Sequence, residues 1–286
     1  MTGIIIKGIG GFYYVAAEGA VYECKARGVF RKKRITPAIG DKVEISVKNG
    51  KGAIEKIFPR ISQLIRPAVA NIDTLMLVIA AASPEPNLFL IDKMLINAEV
   101  NNIKPIICIN KTDLAEYDEL QKIYINAGYQ IITISAIEKD CKDKLMPYLK
   151  DHVTAFAGLS GVGKSTILSD ILGDELETGS VSEKIQRGRH TTRHVELFAL
   201  KEGGYVLDTP GFSSLEITDI SNIKPEELAG FFPEMAGISG CRFRGCSHIN
   251  EPDCEVKKQL EKGKIMPSRY ESYTELYKTL KNAKKW

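Results

Sequence analysis

Short apolar segments separated by glycines and charged residues make up the first part of the chain. Alternating or β-branched residues predict strands at Gly3–Ile9, Phe12–Ala17, Ala20–Cys24, Val43–Val47 and Ala53–Phe58. Short strands at this spacing, with no helical stretch between them, are typical of a small antiparallel barrel. The pattern therefore predicts an OB-type (oligonucleotide/oligosaccharide-binding) β-barrel over residues 1–66.

The pattern changes in residues 67–224, where apolar runs of strand length alternate with stretches of helical spacing. The strand-like runs are Ile72–Ala81, Pro105–Ile109, Gln130–Ser135, Val153–Ala157 and Gly204–Leu207. The helical stretches are Asn87–Val100, Leu120–Ala127, Cys141–Leu149 and Ser165–Leu172. This alternation predicts a central α/β domain whose mostly parallel sheet is covered on both faces. Residues 225–286 lack the alternation and show helical spacing only from about Ser268 to Leu280, which predicts a separate, mostly helical module.

Length and composition agree with this division. A chain of 286 residues corresponds to two or three domains, and its 44% apolar and 26% charged residues are ordinary for a globular protein. The longest apolar run, Thr74–Ala82, is far shorter than a membrane helix. Six cysteines are too few for a disulfide scaffold in a chain of this length. We therefore expect a cytoplasmic protein without a secretory signal or a membrane partner.

Charge is distributed unevenly along the chain. Residues 1–66 hold 13 Lys and Arg against 5 Asp and Glu, whereas residues 67–224 hold 15 against 22. A basic first segment predicts a polyanionic partner such as RNA, although a solvated basic face would give the same balance. Phe30 lies among these cations and either stacks on a base or plugs the barrel. The candidate RNA-binding residues are Lys25, Arg27, Arg31, Lys32, Lys33 and Arg34.

A phosphate-binding motif stands in the middle of the chain. Residues 158–165 read GLSGVGKS, which matches G-x-x-x-x-G-K-[ST], and they lie between a predicted strand and a predicted helix. The glycines let backbone N–H groups surround phosphates, Lys164 would reach the β- and γ-phosphates, and Ser165 would hold Mg²⁺. The nucleotide-binding candidates here are Gly158, Leu159, Ser160, Gly161, Val162, Gly163, Lys164, Ser165 and Thr166.

Two further motifs favour guanine. Asn110-Lys111-Thr112-Asp113 follows a predicted strand, at the sheet edge where α/β domains bind ligands. The Asp113 carboxylate can accept from N1–H and the exocyclic amine of guanine, which adenine does not offer as a pair. Lys111 can lie along the base, Asn110 can tie this loop to the phosphate loop, and Ser135-Ala136 can present an N–H to guanine O6. An ATPase or kinase is therefore disfavoured.

Asp208-Thr209-Pro210-Gly211 follows the next strand end. Asp208 would hold Mg²⁺ through a water, and the Gly211 N–H would meet the γ-phosphate. Between this motif and the phosphate loop lies RGRHTTR, at residues 187–193, where Thr191 and Thr192 are both candidates for completing the Mg²⁺ shell.

The order of these motifs is unusual. In an ordinary GTPase the phosphate loop comes first and NKxD comes late, whereas here NKxD precedes the phosphate loop. Joining the last helix to the first strand and cutting after DxxG leaves every sheet neighbour in place. The sequence thus predicts a circularly permuted P-loop GTPase domain.

A Cys/His group lies in the last segment. Cys241, Cys246, His248 and Cys254 offer three thiols and one imidazole within 14 residues. A Cys₃His set is typical of a closed, structural zinc site. We expect one bound Zn²⁺, and unrelated reduced cysteines are the alternative.

The chain resembles the ribosome small-subunit-dependent GTPase A (RsgA) family over nearly its whole length. The resemblance rests on NKTD, SA, GLSGVGKST, GRHTT and DTPG in this order, between a basic barrel and a Cys/His module. It implies GTP hydrolysis activated by the small ribosomal subunit, in late maturation of that subunit, with rRNA docking in the GTP state and release after hydrolysis. Arg193 departs from the family's usual GRHTTT.

The resemblance also bears on catalysis. Phe212 stands where many GTPases place a glutamine that orients the attacking water, so intrinsic turnover should be slow. The resemblance favours His190 for this role, and a ribosomal group is the alternative. A second hypothesis is an RNA-binding placeholder whose GTP only stabilises its fold. We expect a monomer with GTP or GDP, Mg²⁺ and Zn²⁺ as its small ligands.

Overall fold

The computed structural model describes residues 1–48, 50–64, 68–138, 141–173, 195–208 and 223–283. The first elements are β1 (Thr2–Ile9), β2 (Phe12–Ala17), β3 (Ala20–Ala26), helix α1 (Gly28–Lys32), β4 (Lys42–Lys48) and β5 (Lys51–Ile57). The strands close into a barrel in the order β1-β2-β3-β5-β4, which confirms the predicted barrel. All pairs are antiparallel except β3 with β5.

Alternate side chains of the strands fill the barrel interior. Ile5, Val15, Cys24 and Ile54 form its buried core. Helix α1 adds Phe30, which is only 8% exposed and belongs to this core. Of the two roles open for Phe30, the structure therefore shows the barrel plug. Helix α1 itself was not predicted, because its five residues are too few to show a helical period.

The barrel is followed by a short hairpin of β6 (Gln63–Leu64) and β7 (Val69–Ala70), and then by the central sheet. The sheet strands are β8 (Thr74–Ala80), β9 (Lys104–Asn110), β10 (Gln130–Thr133), β11 (Val153–Ala157), β12 (Phe198–Ala199) and β13 (Tyr205–Asp208). Their order is β10-β9-β8-β11-β13-β12, and only β12 runs antiparallel. The predicted mostly parallel sheet is confirmed.

Helices cover both faces of this sheet. They are α2 (Leu88–Val100), α3 (Asp118–Asn126), α4 (Cys141–Leu149) and α5 (Lys164–Leu172). On β8, Leu75 and Leu77 pack with residues of α2 and α3, whereas Met76 and Val78 pack with residues of α4 and α5. This is the alternation expected of a strand buried on both faces. Cys141, the first residue of α4, is fully buried in the cluster of Met76 and Val78.

The last described part contains a 3₁₀ helix (Pro225–Phe231), α6 (Glu255–Glu261) and α7 (Pro267–Ala283). Its apolar cluster includes Ile96 of α2, so this module packs against the helix layer of the central sheet. Arg269 of α7 is fully buried, and its guanidinium contacts Asp92 of α2 at 2.7 Å and Glu234 at 2.6 Å. The module is therefore joined to the sheet domain by apolar packing and by a buried ion-pair group.

The barrel also contacts the central domain. Ile4 of β1 belongs to a buried cluster of the sheet, and the Leu197 N–H donates to the Ile6 carbonyl at 2.9 Å. No helix within the described ranges combines the length and the apolar composition that crossing a membrane requires. The predicted boundary after residue 66 falls outside the described residues, and the boundary after residue 224 stays a prediction.

Candidate active site

The predicted nucleotide motifs meet at one edge of the sheet. Asn110 ends β9, Ala157 ends β11 and Asp208 ends β13. The parallel registers place Ala80 opposite Asn110 and Phe156 opposite Asp208, so these strand ends lie side by side. Ligands of open α/β sheets bind at such carboxyl edges.

The phosphate loop is shaped by glycines in left-handed backbone. Gly158 has φ 142° and Gly163 has φ 99°. A Cβ atom on Gly158 would collide with the Val78 carbonyl oxygen, and one on Gly163 would collide with the Asn110 side chain. Only glycine therefore allows the loop to fold this tightly against β8 and β9. Helix α5 begins directly after it, which brings the loop to a helix N-terminus.

Lys164 curls back over the loop that precedes it. Its Nζ donates to the Gly158 carbonyl at 2.8 Å and to the Leu159 carbonyl at 3.0 Å. Burial lowers the pKa of the Lys164 ammonium, and the negative charge of Asp208 opposes that effect. The cation is thus held at the loop, beside the carboxylate at the end of β13.

Asn110 connects two loops of the site. Its side chain is buried, its Nδ2 donates to the Val162 carbonyl at 2.8 Å, and its Oδ1 accepts from the Ala136 N–H at 3.0 Å. The amide thus joins the phosphate loop to the loop after β10. Because the Ala136 N–H is bound to Asn110, guanine O6 would have to share or replace that bond, and the O6 contact stays a prediction.

The guanine-motif loop is held to the residues just after β10 and to the loop after β8. The Ser135 hydroxyl donates to the Asp113 carboxylate at 2.7 Å, and the Thr112 hydroxyl donates to the Ile134 carbonyl at 3.0 Å. Lys111 has φ 61°, and its ammonium donates to the Ser83 carbonyl. Sequence reasoning gave no role to Thr112 or Ser83. The sequence could have indicated a role for Thr112, because its hydroxyl lies inside the motif. It could not have indicated a role for Ser83, because every residue has the backbone carbonyl that Ser83 uses here.

Two large apolar side chains flank these loops and were also missed. Leu114 follows the guanine motif and is 54% exposed, and Ile137 follows Ser135-Ala136 and is 77% exposed. The signal was present, because an apolar residue directly after each polar motif has no strand or helix to pack into.

Two of the four candidate magnesium ligands lie among the described residues. Ser165 lies exposed at the start of α5, and Asp208 lies near Lys164. A hydroxyl and a carboxylate are oxygen donors of the type that Mg²⁺ prefers. His190, Thr191, Thr192 and Gly211 lie outside the described residues.

The Cys/His group comes together in space. The ligand atoms of Cys241, Cys246, His248 and Cys254 all lie within 4.8 Å of one another. The Cys254 thiol lies 3.3 Å from His248 Nδ1, and the Glu255 N–H donates to the Cys241 thiol at 3.3 Å. Four soft and borderline donors this close, with a backbone donor behind one thiol, fit a tetrahedral zinc ion.

Tyrosines of α7 hold the loop that carries these ligands. The Tyr270 hydroxyl donates to the His248 carbonyl at 2.6 Å, and the Tyr273 hydroxyl donates to the Ser247 carbonyl at 2.8 Å. The cluster is therefore anchored to the module's longest helix.

The predicted RNA-binding residues divide into two groups. Arg31, Lys32, Lys33 and Arg34 are exposed on α1 and just after it. In contrast, Lys25 lies over the Phe12 ring at 4.7 Å, and Arg27 pairs with Glu55 at 2.7 Å. Because these four cations are exposed whereas Lys25 and Arg27 contact other side chains of the barrel, the four offer the more available charge.

Comparison with known proteins places these features in a family. The family model described as RsgA GTPase matches residues 57–218, which is more than half of the chain. The chain belongs to the RsgA GTPase family. The model described as RsgA N-terminal domain matches residues 2–54. The protein is accordingly a GTP-hydrolysing enzyme.

Curated RsgA relatives match over nearly their full length. The protein from Ruminiclostridium cellulolyticum is 52% identical, covering 98% of this chain and 94% of its own, and the one from Alkaliphilus metalliredigens is 48% identical, covering 99% of each. Both are named small ribosomal subunit biogenesis GTPase RsgA.

Two solved structures share the fold over nearly the whole chain. The structure described as YloQ, a circularly permuted GTPase, is 39% identical with a TM-score of 0.82 and covers 99% of this chain and 95% of its own. YjeQ from Thermotoga maritima is 37% identical with a TM-score of 0.83 and covers 98% of each chain. The predicted circular permutation is confirmed.

Proposed function

We propose that this protein hydrolyses GTP on the small ribosomal subunit, late in the maturation of that subunit. In this proposal the GTP-bound form docks on rRNA, and hydrolysis promotes release. The observation that carries it is the site itself, in which Asn110 joins a phosphate loop to guanine-type loops. The names of the full-length relatives support the ribosomal partner. Such a protein would work in the cytoplasm.

GTP binding is assigned to the sheet edge. The backbone N–H groups of residues 158–166 and the N-terminus of α5 would surround the phosphates. Lys164 would exchange its two carbonyl partners for phosphate oxygens, which are stronger acceptors because they are charged. Ser165 and Asp208 would hold Mg²⁺, which neutralises charge on the phosphates when bound. Thr191 or Thr192, and the Gly211 N–H, complete the proposed set.

Guanine recognition is assigned to Asp113. The Ser135 hydroxyl occupies one carboxylate oxygen and thereby orients the other acceptor sites toward a base. Lys111, fixed at the Ser83 carbonyl, would lie along the base plane. The exposed Leu114 and Ile137 would provide apolar contact around it. Adenine has no donor pair for the carboxylate, so GTP is the expected substrate.

Water activation is assigned to His190, with a ribosomal group as the alternative. Phe212 has no hydrogen-bonding group for this purpose. Without an oriented water the in-line attack is slow, which predicts low intrinsic turnover and activation by the partner.

Zinc is assigned a structural role. All four positions of a tetrahedral site would be filled by Cys241, Cys246, His248 and Cys254, which leaves no position for a substrate. The test is elemental analysis of protein purified without added metal. We expect one zinc per chain, and a metal-free folded protein would contradict the assignment.

The decisive experiment is GTP turnover with and without purified small subunits. We expect a large increase in kcat on subunits and little change with large subunits as the control. Subunit binding without any increase in turnover would instead support an RNA-binding placeholder stabilised by GTP.

A further inference from the structure

The edge of barrel strand β1 is covered by three different segments in succession. Strand β4 pairs with residues 2–4 of β1, and Ile5 then exchanges hydrogen bonds with Gly40 and Asp41. Next along the strand, residues 196 and 197 of the sheet domain take over, through a bridge between Lys7 and Glu196 and a bond from Leu197. A segment of the GTPase domain thus extends the barrel's own hydrogen bonding.

A β-bulge accompanies this change of partner. The pairing of β1 with β2 shifts in register between Ile5 and Lys7, which leaves Ile6 without an opposite residue. The Ile6 carbonyl is the group that accepts from the Leu197 N–H at 2.9 Å. Bulges commonly redirect backbone groups at functional junctions, and this one provides the acceptor for the neighbouring domain.

Side chains strengthen the junction. The Lys7 ammonium lies 3.1 Å from one Glu196 carboxylate oxygen and 3.2 Å from the other, and each side chain is 21% exposed. Ile6 and Val195 pack against the same apolar cluster that buries Leu197. Backbone, ionic and apolar contacts therefore all connect the barrel to residues 195–197.

Glu196 lies close in sequence to candidate residues of the nucleotide site. Glu196 stands four positions after Thr192, and Thr192 belongs to the motif at residues 187–193 that carries the magnesium and water-orienting candidates. We propose that Lys7 and Glu196 are positioning residues that couple docking of the barrel on RNA to the nucleotide site, because the segment that they join continues into β12, which pairs with the strand β13 that ends at Asp208. This inference rests on the proposed function, since it assumes activation by the small subunit.

Charge reversal tests the coupling. Lys7→Glu and Glu196→Lys each place like charges about 3 Å apart, and the double variant restores the pair in reversed order. Lys42→Glu is the matched control. Lys42 is exposed on the adjacent strand β4, and its substitution changes the charge of the barrel by the same amount as Lys7→Glu. The measurements are kcat and half-saturating concentration for small subunits, GTP affinity and intrinsic turnover.

We expect each single reversal to lower kcat at saturating subunits by about tenfold, equivalent to a modest rise in the barrier. The double variant should regain most of the lost kcat, and Lys42→Glu should alter only the half-saturating concentration of subunits. Wild-type kcat in either single variant, or no rescue in the double variant, would overturn the inference and leave the proposed function standing. A wild-type protein that subunits do not stimulate would overturn both.

Discussion

Side chains of the guanine motif are each held by a partner from another part of the fold. Asn110 bonds to both the phosphate loop and Ala136, and Asp113 bonds to Ser135. Such mutual bonding fixes the site before a ligand arrives, which lowers the ordering cost of binding. The preference for one base over another should therefore depend on single donor and acceptor atoms of these side chains.

Asp113→Asn should change the nucleotide preference of the protein from guanine to xanthine. The amide loses the charged acceptor for N1–H and the amine of guanine and gains a donor for the extra carbonyl of xanthine. A hydrogen bond to a charged group contributes about 1.5–3 kcal/mol, so GTP affinity should fall by roughly one to two orders of magnitude. Titration with GTP and xanthosine triphosphate measures this.

Glu116→Gln is the control for that substitution, since Glu116 is exposed in the same connection and loses the same charge. Its nucleotide preference should not change. Equal binding of ATP and GTP by the unmodified protein would show that Asp113 does not read the base.

At the scale of elements, α7 and α2 are joined by a buried charged group. The Arg269 guanidinium contacts Asp92 and Glu234 and lies 4.7 Å from the Phe232 ring centroid. Burial raises the pKa of the Asp92 carboxyl, and the positive charge of Arg269 opposes that effect. The group is stable only while all its partners are present.

Arg269→Ala should reduce the free energy of unfolding by about 3–5 kcal/mol, because it leaves two buried carboxylates without their cation. Arg242→Ala is the matched control: its ion pair with Asp253 has both side chains more than half exposed, and its loss should cost less than about 1 kcal/mol. Chemical denaturation measures both values, and equal losses would contradict the assigned importance of burial.

The same variant should show a characteristic pH dependence. Without Arg269 the folded-state pKa of Asp92 lies still further above its unfolded value, so the penalty is fully present at alkaline pH. It should shrink as pH falls through the folded-state pKa and the carboxyl takes up a proton. A penalty that grew on acidification would argue against a buried unpaired carboxylate.

Zinc removal should affect a different element. Chelation, or Cys246→Ser, should raise amide hydrogen exchange in residues 241–254, because structural metal binding is coupled to local folding. Exchange in α2 and in the sheet should stay slow, since Arg269 and the apolar cluster hold α7 there. Restoration by added zinc is the control, and unaltered exchange in the loop would show that zinc does not organise it.

Much of this arrangement was predictable from sequence, and the exceptions have physical causes. The guanine and phosphate loops have fixed spacings, and β8 is buried on both faces, so motif and period identified them. Arg269 was not singled out, because an arginine in a helix is usually exposed and its partners lie far away in the chain. The contact of Lys7 with Glu196 is equally distant in sequence and leaves no periodic pattern.

At the scale of the whole molecule, basic charge is concentrated at one end. Residues 1–66 carry an excess of cations, whereas the GTPase part carries an excess of carboxylates. We therefore expect the exposed cations of α1 and of residues 33 and 34 to contact phosphates.

Replacing Arg31, Lys32, Lys33 and Arg34 by Ala should weaken binding to small subunits. Each lost phosphate contact should reduce the slope of log affinity against log salt by about 0.7–0.9. GTP binding without subunits should be unchanged. The measurement is subunit affinity over a series of salt concentrations.

A matched variant removes four exposed lysines from the GTPase part, by Ala substitution at Lys122, Lys144, Lys150 and Lys201. It should keep the wild-type salt slope. If the barrel variant also keeps it, the basic face is merely solvated and RNA contact comes from elsewhere.

The pairing of Arg269 with Asp92 spans 177 positions of the chain, and this separation affects the order of events during synthesis. Helix α2 emerges from the ribosome long before α7, so Ile96 and Asp92 lack their α7 partners until that helix is made. A chain that stops before Pro267 keeps this surface open and exposed to proteases and chaperones. Helix α7 thus closes this surface of α2 only after the whole GTPase part has been synthesised.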